Sequence, residues 1–186
     1  GDPVALDIAD GLVSRKQTSV GRLEQRLLAR GIRRIVPIDH EDDIPEVRAV
    51  VHEALRVVSP AGKRMLAVLA SMGGDAMDTA SLSSLGRARD GAKELVALAE
   101  LRLVQFPAEG RVTLHATVRH AIRKPQIGVP SFDVDRYAAH YLDLFEREPE
   151  RLAEEQTHLF ALMDWAQERR DLGTILRVQT LGNALG

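Results

Sequence analysis

The chain has 186 residues, 45% hydrophobic and 28% charged, enough for one large or two to three small globular units. A net charge of −2 excludes a whole-chain electrostatic nucleic-acid binder, and the absence of cysteine excludes disulfides, thiolate metal sites and cysteine nucleophiles. It also fits a reducing, cytoplasmic compartment. Aromatics make up only 4%, so Leu, Val, Ile and Ala must build the core, which suits helices packed on helices. No apolar run approaches the roughly 18 residues needed to span a bilayer, and no signal-peptide pattern is visible.

Charge is uneven along the chain. Residues 59–125 carry ten Lys/Arg against six Asp/Glu, net +4, and residues 126–186 carry six against eleven, net −5. The middle is mildly basic and the tail acidic.

Pro3 stands where a helix tolerates proline best, behind Asp2 as N-cap, and Val4, Ala5, Ile8, Ala9, Leu12 and Val13 give one apolar face. Ser19 caps a predicted second helix with Val20, Leu23, Leu27 and Leu28, stopping at Gly31. Ile32 to Asp43 is a connector with an acidic run. Ile44, Val47, Val50, Val51, Ala54, Leu55 and Val58 predict a third helix ended by Ser59-Pro60. Three such helices cannot stand alone and are predicted to pack as a bundle over 1–58.

Ser59-Pro60 opens the next helix, with Met65, Leu66, Val68, Leu69 and Met72 facing one way before Gly73-Gly74. Thr79 to Leu85 allows one or two turns, and Asp90 to Leu103 a stronger helix. Then the period changes. Leu103, Val104 and Phe106, a Pro/Gly turn, and Val112 and Leu114 predict a β-hairpin. This order of helices and hairpin over 59–125 is that of a winged helix. The prolines and glycine of Lys124 to Asp133 mark a linker. Beyond it, helices carrying Tyr137, Tyr141 and Phe145, then Leu159 and Leu162, then Leu172 and Leu176 suggest an antiparallel, helical-repeat-like segment within 126–186. The fold class predicted is therefore mainly α.

Nothing matches G-x-x-x-x-G-K-[S/T]. Ala61-Gly62-Lys63 lacks the first glycine and the hydroxyl and follows a proline, so this segment alone is not expected to hydrolyse ATP. No paired-carboxylate, Ser/His/Asp or metal-ligand spacing appears, and neither a catalytic residue nor a metal site is assigned. The run Asp39, His40, Glu41, Asp42 and Asp43 lacks the ordered spacing of a calcium loop and reads as a solvated loop. Arg119, His120, Arg123 and Lys124 form a basic cluster that reads as a solvated helix face, with phosphate contact the sharper alternative. The helix that would enter a DNA groove carries Asp90, Glu94 and Glu100 against Lys93 and Arg102, and no Asn, Gln, Ser or Thr to read bases. DNA binding through it is not expected. His115 falls where the hairpin meets a helix. Spacing alone favours a histidine capping its own helix; a phosphate donor is the alternative.

Gly1-Asp2-Pro3-Val4-Ala5-Leu6 resembles the G-L-P-L-A-L motif of NB-ARC-type STAND ATPases, the family of apoptosome proteins, plant immune receptors and large bacterial regulators. Leu114-His115-Ala116 falls where that family carries Met-His-Asp at the end of its winged helix. Leu159 to Ala166 is similar to the first helices of the tetratricopeptide-like array in bacterial members. The resemblance implies that Pro3 packs near a bound nucleotide and that His115 contacts the β-phosphate of ADP in a closed, inactive state. Ala116 in place of aspartate and Asp2 in place of an apolar residue depart from the pattern.

The resemblance implies the regulatory arm of a signal-transduction ATPase, joined in cis to an upstream nucleotide-binding core and to downstream helical repeats. ADP or ATP would belong to the full-length protein, with tight binding to this segment not expected. A homo-oligomer on activation and no membrane partner are also expected. The chain opens inside the motif rather than at Met, which reads as an excised fragment. The alternatives are a winged-helix DNA-binding transcriptional regulator and a helical protein-interaction scaffold.

Overall fold

The computed structural model describes residues 2–15, 19–29, 45–72, 75–124 and 127–183. The expected stop at Gly31, the acidic run Asp39 to Asp43 and the pair Gly73-Gly74 lie outside the described residues. What is described is mainly helical, with ten α-helices and one small antiparallel sheet. Among these residues no helix is long and apolar enough to cross a membrane. The chain divides into two compact units, Gly1–Phe132 and Asp133–Gly186.

The first unit begins with α1 (Pro3–Ser14). Asp2 accepts from the Val4 and Ala5 amides at 2.9 and 3.2 Å, and Pro3 occupies the first turn, where its missing N–H costs nothing. Helices α2 (Val20–Ala29) and α3 (Pro45–Leu55) follow, and the Arg26 guanidinium holds the buried Glu53 carboxylate at 3.1 Å. Helix α1 packs on α3, and α3 packs on α7 (Ala116–Arg123). This packing runs across the boundary expected at residues 58 and 59. Short amphipathic helices bury their apolar faces on whatever neighbour is nearest, and here that neighbour lies in the sheet-bearing segment.

Helix α4 (Pro60–Ser71) is capped by Ser59, whose Oγ accepts from the Gly62 amide at 2.9 Å. The same hydroxyl donates to Glu94 Oε2 at 2.6 Å, tying α4 to α6 (Gly91–Glu100). Between them lie strand β1 (Met77–Asp78) and helix α5 (Thr79–Leu85). Strands β2 (Gln105–Ala108) and β3 (Arg111–Thr113) complete a sheet of order β1-β3-β2, with Met77 opposite Val112 and Gln105 opposite Thr113. β1 was not foreseen because two residues carry no readable alternation. β2 is an edge strand, exposed along its length, and Pro107 within it blunts that edge. The buried pair Leu103 and Val104 precedes the strand rather than forming it.

The second unit contains α8 (Val134–Arg147), a 3-10 turn at Pro149–Leu152, α9 (Gln156–Arg169) and α10 (Leu172–Asn183). Tyr137, Tyr141 and Phe145 form a buried stripe on α8, as their spacing predicted. Trp165 lies beside the α9 stripe, with the Arg169 guanidinium 5.0 Å over its ring. α10 buries only Val178 and leaves Leu172 and Leu176 exposed.

Candidate functional site

An open groove of about 590 Å³ lies in the first unit. One wall is the outer face of α1, where three-residue spacing puts Val4, Asp7 and Asp10 on one side. Gly11, on the inner face, sets how close that wall comes. A Cβ built there would lie 2.5 Å from the Glu100 carbonyl oxygen, so only glycine lets α1 approach the end of α6 this closely. Arg15 fastens the same contact, donating to Ala97 O at 3.3 Å and pairing with Glu100 at 2.8 Å.

The opposite wall comes from the end of α6, the start of β2 and the N-cap of α7. Ala99 and Arg102 lead into Val104, Gln105 and Phe106, and His115 closes the groove. Arg102 occupies the position just past the helix, with φ 56°. Its amide bonds Ala99 O at 2.9 Å and the Leu103 amide bonds Leu98 O at 3.0 Å, a helix end that glycine usually makes. Phe106 is 49% exposed, large for an aromatic side chain. The side chains of Asp7, Asp10 and Arg102 have no hydrogen bond or ion pair with another described residue.

His115 is the N-cap of α7. Its Nδ1 lies 3.4 Å from the Thr117 amide, which can only donate, and 2.8 Å from Thr117 Oγ1. An accepting Nδ1 puts the proton of the neutral ring on Nε2. Capping, the plainer reading of this residue, is therefore what the ring's Nδ1 does. Nε2 has no hydrogen-bond partner among the described residues and stays available as a donor. Pro3, the other expected nucleotide contact, is exposed one residue before Val4 and is not itself in the lining. The structure thus brings His115 together with α1, and it brings Arg102, Asp7 and Asp10 with it. These three were missed as site residues. The readable signals were the polar face of α1 at positions 7 and 10 and an arginine where a helix end favours glycine.

The other sequence candidates are committed to structure. The Gly62 amide of Ala61-Gly62-Lys63 bonds Ser59 within the first turn of α4. The basic cluster on α7 is not a freely solvated face. Arg123 Nε donates to Ala70 O at 2.6 Å and closes the end of α4, while Arg119 and His120 are half-buried. No family model matches the chain, and no curated protein or solved structure does.

Proposed function

We propose that this chain is the regulatory arm of an NB-ARC-type signal-transduction ATPase. In this reading residues 59–125 are a winged helix, and the order helix, strand, helix, helix, strand, strand, helix with sheet order β1-β3-β2 supports that. The observation that carries the reading is the groove itself. His115, delivered by the end of the hairpin, and the amino-terminal helix that begins at Pro3 line one concave surface.

In the closed state the Nε2–H of His115 donates to the β-phosphate of ADP held by the upstream core, and the start of α1 packs beside it. Exchange for ATP favours an arrangement in which the winged helix swings away and copies assemble. The nucleotide moves that equilibrium only through its different affinities for the two states. The exposed Leu172 and Leu176 of α10 suit further helices of a tetratricopeptide-like array, which would sense an inducer.

A DNA-reading role has less support. All three carboxylates of the would-be recognition helix act inside the fold: Asp90 caps it, Glu94 accepts from Ser59 and Glu100 pairs with Arg15. They also hold negative charge where phosphates would pass. The decisive experiment joins the upstream core to this chain and measures ADP retention in wild type and His115→Ala. Faster ADP loss from the variant is expected; equal retention removes the histidine from the mechanism.

A further inference from the structure

The groove carries more chemistry than a single imidazole. Three arginines, Arg87, Arg102 and Arg170, stand in left-handed backbone just past helices, so that conformation alone does not set one apart. Arg102 differs in where it stands. It lines the groove with His115, and its guanidinium has no carboxylate or carbonyl partner among the described residues. A guanidinium and an Nε2–H on one wall are two donors suited to phosphate oxygens.

The facing wall has the opposite character. Asp7 and Asp10 are acceptors with no donor among the described residues, one helical turn apart. They repel a bare anion, and they accept from hydroxyls as carboxylates do from a ribose. Val4, Val104 and the half-exposed Phe106 add apolar surface with an aromatic face. The volume of about 590 Å³ is in the range that holds a small organic ligand.

We infer that Arg102 is a second phosphate ligand beside His115, and that Asp7 and Asp10 hold hydroxyls of the same molecule, so the groove selects a phosphorylated nucleoside over a bare phosphate. This deepens the switch reading and rests on it for the choice of ligand; the lining residues supply the selectivity.

The test uses the 186-residue chain and backbone amide NMR shifts, without divalent metal. ADP and inorganic pyrophosphate are titrated to about 10 mM, where even a millimolar site is mostly filled. ADP is expected to move the amides of Asp7, Arg102, Gln105 and Thr117, and pyrophosphate to move them less. Arg102→Gly removes the guanidinium and relaxes the backbone, so the melting temperature holds or rises while ADP affinity falls about tenfold. Arg102→Lys restores part of the loss. Asp7→Ala with Asp10→Ala narrows the preference for ADP over pyrophosphate.

The inference is overturned if ADP moves nothing, if pyrophosphate binds as well as ADP, or if Arg102→Gly keeps ADP affinity within about twofold. His115→Ala separates it from the switch. Affinity lost with His115→Ala but kept with Arg102→Gly leaves the switch and removes this inference. The reverse pattern keeps Arg102 as a phosphate ligand and removes the histidine clamp.

Discussion

The first unit buries aliphatic side chains such as Met65, Leu66, Leu69, Leu82 and Leu98, while Phe106 and Phe132, its two aromatic residues, stay outside the core. The second buries Tyr137, Tyr141 and Phe145 around a histidine. Tyr137 Oη lies 2.7 Å from His158 Nδ1, and His158 Nε2 lies 3.1 Å from Glu155, which Arg151 meets at 3.3 Å. Tyr141 stacks on the His158 ring at 4.3 Å. The first unit thus keeps Asp7, Asp10 and Arg102 at a groove, with no side-chain hydrogen bond or ion pair among the described residues. The other locks ionisable groups inside, where each must satisfy the next. Groups of the first kind are free to meet a ligand. Groups of the second kind hold a fold together.

The largest test of this contrast is His158→Ala. It removes the ring that meets the Tyr137 hydroxyl at 2.7 Å and the buried Glu155 carboxyl at 3.1 Å, at an expected cost of about 3–5 kcal/mol. The single tryptophan, Trp165, lies in this unit, so its fluorescence in urea reads the loss directly. A midpoint unchanged from wild type means that the buried polar chain holds nothing.

Gly11→Ala tests the other unit. Alanine gains about 1 kcal/mol in helix propensity, but its Cβ meets a backbone carbonyl that cannot rotate aside. Overpacking of that kind costs about 1–3 kcal/mol, and a backbone neighbour puts it at the upper end. A net loss of about 1–2 kcal/mol is expected from far-UV circular dichroism melts. A variant more stable than wild type would show that α1 does not dock this tightly.

The smallest effect is at Asp171, which caps α10. The Thr174 hydroxyl first, then the Thr174 amide, holds its carboxyl below the ordinary 3.8. A carboxyl depressed on folding contributes stability at pH above its unfolded value and loses it as pH falls through the folded one. The cap therefore weakens only below pH 3.8. Protection of the Thr174 and Ile175 amides from hydrogen exchange, taken relative to the intrinsic rate at each pH, is expected to fall there in wild type and to change less in Asp171→Ala. Protection that stays constant through this range would remove the cap.

Much of the fold was legible because it rests on local chemistry. Asp2, Ser59 and Asp90 announced helix starts, and each accepts from the amides it should. Tyr137 and Tyr141 announced a buried face by their spacing, and both are buried. The strand at Met77 was illegible because two residues make no pattern. His158 and Glu155 were illegible as a pair because neither residue type signals burial, and their partner Tyr137 is 21 residues from His158. The site divided in the same way. His115 stood at a readable junction between hairpin and helix, while Arg102 looked like one more base on α6.

Residue order alone determined where helices start and which faces are apolar, because caps and periodicities act over a few positions. Only the tertiary structure decided that α1 and His115 share a groove and that Arg102, Asp7 and Asp10 line it. Those residues are about a hundred positions apart, and what joins them is the close approach that Gly11 allows at the end of α6.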